Sequence, residues 1–202
     1  MTYTTTTITT NKTNVSGNGT YNVNDQSTPD YNVLKIGNGL PGQYFLIERR
    51  AQTGFDGGMD YYGINSGVAI YHIDENVIAY GNKYLDGLIN ENEYRKAVDL
   101  EEANQGYLKY SELDTDSILW DGKHYFTAAI GMNSFGAATN PSSGLYDKPI
   151  VSPFVSDATQ GSQAVPSGVD VKVVSIEGLE WGEMDFPQDV ENLTRLSSGW
   201  TV

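Results

Sequence analysis

Apolar and polar positions alternate along several short segments of the chain, and a period of two predicts β-strands. The segments YNVLKI (31–36), QYFLIERR (43–50) and VAIYHID (68–74) are also rich in β-branched and aromatic residues, which suit a pleated surface. The middle of 43–50 is continuously apolar, a pattern typical of a strand that is covered on both faces. We therefore expect 43–50 to be a central strand of a sheet.

The alternation within 68–74 also assigns its side chains to the two faces of that sheet. One face would carry the apolar and aromatic set, and the other would carry a histidine and an aspartate among aliphatic residues. The first set is Ala69, Tyr71 and Ile73, and the second is Val68, Ile70, His72 and Asp74.

Other segments give weaker patterns. The Thr-rich stretch TYTTTTITT near residue 1 favours a strand, and 168–178 alternates cleanly and would form a hairpin with 182–186. Residues 90–105 are ambiguous, because their propensities favour a helix although AVDLEEA also alternates like a strand. The stretch 123–130 is compatible with either a strand or a short helix.

Turn signals rich in Gly, Pro, Asn and Ser separate these segments and bound the fold class. Many short strands between such signals predict a mainly β fold, an antiparallel β-sandwich-like domain with long loops and little helix. We expect an N-terminal strand region in 1–30, one main β-rich domain in 31–186, and a tail or short helix in 187–202.

The charge balance restricts the classes of partner. The chain has 202 residues with 12 Lys and Arg against 26 Asp and Glu, a net charge of −14. Such a chain repels phosphate, so nucleic acids and anionic membranes are poor partners. No apolar run is long enough to cross a bilayer and no signal peptide is present, so membrane insertion is not expected. The absence of cysteine excludes disulfides and thiolate chemistry.

The chain lacks the residue patterns of common hydrolases. A zinc peptidase helix needs two histidines one turn apart with a glutamate base, whereas His72 and His124 are the only histidines and lie far apart in sequence. No G-x-S-x-G motif occurs, and acidic pairs such as those in DLEEA are too common here to indicate a glycosidase. An intact hydrolase that uses His72 or an acidic pair is therefore the weakest interpretation.

Calcium is the cation that this acidic sequence suits best, because it prefers oxygen ligands. The segment SELDTDSILWDG (111–122) offers Asp114, Asp116 and Asp121 as candidate ligands. It is no EF-hand, since Ile118 and Leu119 stand where that loop needs an oxygen ligand and a glycine. The FDGGMD loop offers two further carboxylates, and a solvated acidic surface is the alternative to both sites.

Five segments in order resemble the immune inhibitor A-like family of secreted metallopeptidases. They are GQYFLIERRAQTGFDGGM, SGVAIYHIDEN, INENEYRKAVDLEEAN, FGAATNPSSGLYD, and GVDVKVVSIEG followed by GEMDF. The resemblance covers about 31–186. This chain departs from the family in lacking the H-E-x-x-H zinc motif, and in having Gln43 and Arg49 where the family usually has Glu and Asn. The family's zinc ligands and base therefore have no counterparts here.

The resemblance implies an accessory, non-catalytic β-domain of a secreted or cell-surface bacterial metallopeptidase. Its partner would be the catalytic domain of the parent protein, or a protein or glycan substrate, and zinc is not expected in this chain. Glu48, His72 and Asp74 would be ordering groups in a structural polar cluster, because isolated buried charges are costly. The alternative is a free-standing carbohydrate- or protein-binding β-module, suggested by the tyrosines of DYYG and GYLKY and by Trp120 and Trp181.

Overall fold

The computed structural model of the chain describes the residues that follow: 11–15, 18–37, 40–54, 56–58, 66–84, 90, 95–103, 124–128, 131–147 and 163–174. Over these residues the fold is mainly β with one helix, which confirms the predicted fold class. The helix is α1 (Glu75–Tyr84). The strands are β1 (Asn11–Val15), β2 (Asn32–Ile36), β3 (Gln43–Arg50), β4 (Gly67–Asp74), β5 (Val98–Leu100), β6 (Ser134–Phe135), β7 (Gly144–Leu145), β8 (Val165–Pro166) and β9 (Val171–Lys172).

A five-stranded sheet in the order β1-β2-β3-β4-β5 forms the framework. The β2–β3, β3–β4 and β4–β5 pairs are antiparallel, whereas β1 lies parallel to β2, so the sheet is mixed. The longest ladder joins β3 and β4 and pairs Gln43 with Asp74, Phe45 with His72, and Arg50 with Gly67 at its far end. This register places Phe45, His72 and Asp74 on one face of the sheet, which we call the core face.

Two small ladders cover the core face. Strand β6 pairs with β9 and β7 pairs with β8, so residues 131–147 and 163–174 form one layer, which we call the flap. Flap and sheet share one apolar core, in keeping with a sandwich-like arrangement. The buried members of that core are Leu34, Phe45, Ile47, Val68, Ile70, Phe126, Phe135, Leu145, Val169 and Val173.

Strands β2, β3 and β4 lie where the alternation predicts them, and the described part of the ambiguous segment 90–105 contributes strand β5. Residues 124–128 form strand-like bridges, with Phe126 paired to Val68. The predicted strand 168–178 is limited within the described part to β9, although Val173 still donates its amide proton to the Asn133 carbonyl. The predictions for the Thr-rich stretch, the 182–186 hairpin and the 187–202 tail lie outside the described residues.

Helix α1 follows β4 without a loop, and the sequence patterns above do not anticipate it. Asp74, the last residue of β4, accepts the amide proton of Asn76 at 3.0 Å and so caps the first turn. Val77 is also buried in this first turn of the helix. No helix in the described ranges is both long and apolar enough to cross a membrane.

Candidate functional site

His72 lies at the centre of the buried polar cluster on the core face. Its side chain is only 2% exposed and lies between two aromatic rings. The Tyr146 ring stacks on the imidazole at 5.7 Å and 12°, and the Phe45 ring lies 4.9 Å away on β3. A histidine enclosed in this way is part of the packing between sheet and flap.

The polar contacts of His72 are few and long. Its Nδ1 atom lies 3.7 Å from Glu101 Oε1 and 3.5 Å from the side-chain amide nitrogen of Gln163. Its Nε2 atom is buried and has no hydrogen-bond partner among the described residues. The pKa of His72 is lowered to about 4, mainly by burial; the Asp74 carboxylate opposes this shift and the Arg95 guanidinium adds to it. The imidazole is therefore neutral at ordinary pH.

Asp74 joins three parts of the fold through its two carboxylate oxygens. Arg95 donates to Oδ2 from Nε at 2.9 Å and from Nη2 at 2.7 Å, and both side chains are only 1% exposed. Asn76 donates to Oδ1 from its backbone at 3.0 Å and from its side chain at 2.9 Å. The carboxylate thus fixes the segment before β5 and the start of α1 on the end of β4.

Tyr146 is held in place from two sides. The buried Gln43 side chain donates to the Tyr146 carbonyl at 3.0 Å and accepts its amide proton at 2.9 Å. The Arg95 guanidinium lies 4.7 Å from the centre of the Tyr146 ring, a cation–π contact. Gln43 therefore clamps the flap to β3.

Carboxylates collect beside His72 at the end of β5. Glu101 is 3% exposed, its amide donates to the Ile70 carbonyl at 2.8 Å, and its Oε1 has no hydrogen-bond partner in the described chain. Burial, then the neighbouring Asp99 and Glu102, raise the pKa of Glu101 well above its usual value. A carboxyl in this position is stable when it carries a proton.

The second histidine forms a separate buried pair. His124 Nδ1 lies 2.9 Å from Glu102 Oε1, and the two side chains are 4% and 0% exposed. The His124 carbonyl also accepts the amide proton of Ala103. Its Nε2 atom is buried without a hydrogen-bond partner within the ranges that the structure describes.

Glu48 belongs to a different cluster from His72 and Asp74. It pairs with Ala69 in the β3–β4 ladder and so points to the opposite face from Phe45. Tyr31 donates to its Oε2 at 2.6 Å, while Tyr71 and Arg50 donate to its Oε1 at 3.1 and 3.0 Å. Arg50 also contacts Asp56, which links this face to the following loop.

Of the predicted structural cluster, the structure therefore brings His72 and Asp74 to one face and places Glu48 on the other. The predicted calcium ligands Asp114, Asp116 and Asp121 lie outside the described residues, as do the aromatic residues suggested as a binding platform. Arg95, Glu101 and Tyr146 complete the His72 cluster and were not anticipated. The alternation of AVDLEEA was compatible with a strand at Glu101, but it did not identify the strand beside it.

The arrangement is suited to holding sheet and flap together. The described residues include no group of three or more His, Asp or Glu side chains placed to share a metal ion. Neither histidine reaches the surface, because their side chains are 2% and 4% exposed. Both imidazoles are therefore covered by the folded chain.

A comparison with protein-family models, one with curated proteins and one with solved structures each found no match to this chain.

Proposed function

We propose that the chain is a non-catalytic accessory domain of a secreted, immune inhibitor A-like metallopeptidase, which braces a catalytic domain or contributes to substrate binding. The observation that carries the proposal is the use of both histidines inside the fold. His72 is stacked between Phe45 and Tyr146, and His124 is paired with Glu102. Side chains committed to packing in this way stabilise the domain and are not exposed to a peptide bond.

The location of the resembling segments supports the same proposal. Three of them, around QYFLIERR, VAIYHID and AVDLEEA, supply the adjacent strands β3, β4 and β5, and FGAATNPSSGLYD supplies Tyr146 in the flap. The resemblance thus concerns the residues that build the core. A segment that resembles the family in its core but lacks the H-E-x-x-H motif fits a supporting domain.

The first arm of the test measures proteolysis. The purified chain is incubated with fluorescent casein and zinc, with and without 1,10-phenanthroline, beside a His72→Asn/His124→Asn double variant. We expect no chelator-sensitive cleavage above that of the double variant. Cleavage by the natural chain that the chelator abolishes and the double variant lacks would overturn the non-catalytic assignment.

The second arm measures association. The chain is immobilised and exposed to an immune inhibitor A-like catalytic domain that carries the H-E-x-x-H motif, with serum albumin as the control protein. We expect saturable binding to the catalytic domain and none to albumin. Absence of saturable binding would contradict the bracing role.

A further inference from the structure

The contact between His72 and Glu101 sits where the flap meets the sheet. The flap reaches the imidazole through the stacked ring of Tyr146 and through the Gln163 amide, 3.5 Å from Nδ1. Glu101 approaches the same Nδ1 from the β5 side at 3.7 Å. A change in the charge of this pair therefore alters the contacts that Tyr146 and Gln163 of the flap make with His72.

With His72 neutral and Glu101 protonated, the pair holds one dissociable proton. A second proton, on His72, would be unfavourable. It would place a positive charge on His72 beside the Tyr146 ring, and the Arg95 guanidinium already lies 4.7 Å from the centre of that ring. It would also oppose Gln163, because an amide nitrogen only donates and its contact needs an Nδ1 that accepts. Asp74 and Asp99 lie on the same face and would offset part of that charge, but the Asp74 carboxylate is already bonded to Arg95.

Loss of the proton on Glu101 would be unfavourable too. It would leave a buried Glu101 carboxylate beside Asp99 and Glu102, with Oε1 unbonded among the described residues. On the other side, β3 contributes the neutral side chains of Gln43, Phe45 and Ile47 to this face, and its Arg49 lies farther along the strand beside Asp25. Among the residues that the structure describes, the charged and titratable groups around the pair are thus Asp74 on β4, Asp99 on β5, Glu102 just after it, Arg95, and Tyr146 on the flap.

We propose that His72 and Glu101 form a one-proton latch that keeps the flap closed on the sheet, and that closing weakens when the pair loses its proton and, to a small extent, when it gains a second. The device goes beyond the accessory role, because it makes access to the apolar core face depend on pH. Opening would expose the aromatic and aliphatic side chains around Phe45 that the flap now covers.

The proton balance gives the latch a distinctive pH profile. With usual pKa values of 6.5 for His72 and 4.5 for Glu101 in the open state, that state holds one proton between pH 4.5 and 6.5, as the closed state does. Closing is then independent of pH in this window. Above pH 6.5 the open state has lost its proton while the closed state keeps one on Glu101, whose pKa is raised, so closing weakens as pH rises.

At acid pH, the effects of the His72 and Glu101 pKa shifts on closing nearly cancel in the natural chain. Closing weakens only between pH 4.5 and the His72 pKa of about 4, which amounts to about a threefold change. Without a titrating Glu101, the pH dependence of closing would reflect the full difference between the His72 pKa in the open state and that in the closed state. Closing would then weaken as pH falls from 6.5 to about 4, by about 300-fold.

Amide hydrogen exchange, corrected for the intrinsic pH dependence of exchange, tests the latch. The Tyr146 amide, bonded to Gln43, reports the flap, and the Phe126 amide, bonded to the Val68 carbonyl at 2.9 Å, reports the sheet. In the natural chain we expect Tyr146 protection to be constant from about pH 4.5 to 6.5 and to fall above that range. Equal loss of protection at Phe126 would indicate global unfolding and would overturn the latch.

Two variants should change the profile in opposite directions. Glu101→Gln should abolish the alkaline loss and create an acid loss of about 300-fold between pH 6.5 and 4. His72→Asn should shift the start of the alkaline loss down by about two pH units, to about 4.5. The exposed Glu75→Gln on α1 is the matched control and should leave the profile unchanged. A Glu101→Gln or His72→Asn profile that coincides with that of the natural chain would refute the proposal.

Discussion

Breaking the buried ion pair of Asp74 and Arg95 should destabilise the fold strongly. The two side chains are 1% exposed and share two hydrogen bonds of 2.9 and 2.7 Å. Removal of one partner leaves the other charge buried and unpaired, which costs about 3–5 kcal/mol in comparable pairs. Asp74→Ala also removes the cap of α1, worth about 1 kcal/mol. The expected total is about 4–6 kcal/mol, a large share of the 5–15 kcal/mol typical of a domain.

A second substitution separates the two effects. Asp74→Asn retains an oxygen that accepts the Asn76 amide proton, so it should keep the cap and lose only the charge. We expect it to cost about 3–5 kcal/mol, about 1 kcal/mol less than Asp74→Ala. Asp74→Asn combined with Arg95→Met removes both ions, so the double variant should be less destabilised than the sum of the single variants, by about 1–3 kcal/mol.

Urea unfolding followed by far-ultraviolet circular dichroism at pH 7 measures these free energies, with unchanged m-values as the check that the two-state description holds. An Asp74→Asn cost below about 1 kcal/mol would refute the reasoning. Strict additivity in the Asp74 and Arg95 cycle would refute it as well, because it would mean that the two charges do not depend on each other.

Three further predictions concern other parts of the molecule. Gln43→Ala should cost about 2 kcal/mol or more and accelerate hydrogen exchange at Tyr146, because it removes both hydrogen bonds between the Gln43 side chain and the Tyr146 backbone; unchanged exchange would contradict the clamp. Tyr71→Phe should cost only about 1 kcal/mol in urea unfolding, since Glu48 keeps its other two donors, and a cost above about 3 kcal/mol would be inconsistent with that network. If segment 111–122 binds calcium, millimolar calcium should raise the melting temperature over that in EDTA by about 4 °C or more, and an Asp→Asn variant of this segment should lose the effect.

The strands of the framework were predictable because their patterns are local. The continuous apolar middle of 43–50 identified β3, and the alternation in 68–74 gave the two faces of β4 correctly, with His72 and Asp74 together. The start of α1 had a signal as well, since Asp74 is a favourable capping residue. That signal was ambiguous because the residues that follow, ENVIAYGNKY, include a glycine and two asparagines, which have low helix propensity.

The environment of His72 could not be derived from local patterns. Its partners Arg95, Glu101 and Tyr146 come from three segments that meet only after the sheet and flap have packed. The placement of Glu48 depended on the register of β3 against β4, because a strand alternates its side chains and a shift of one residue would exchange the faces. Chain topology, rather than residue type, decides which polar groups share a cluster.

The central claim is that the histidines of this chain support the fold and do not hold a hydrolytic metal. A pH titration of the His72 and His124 imidazoles by nuclear magnetic resonance, with and without zinc, tests it most directly. We expect His72 to stay neutral down to about pH 4, and one equivalent of zinc to leave the resonances of both imidazoles unchanged. A His72 pKa near 6.5, or zinc-dependent shifts of both imidazoles at one equivalent, would contradict it.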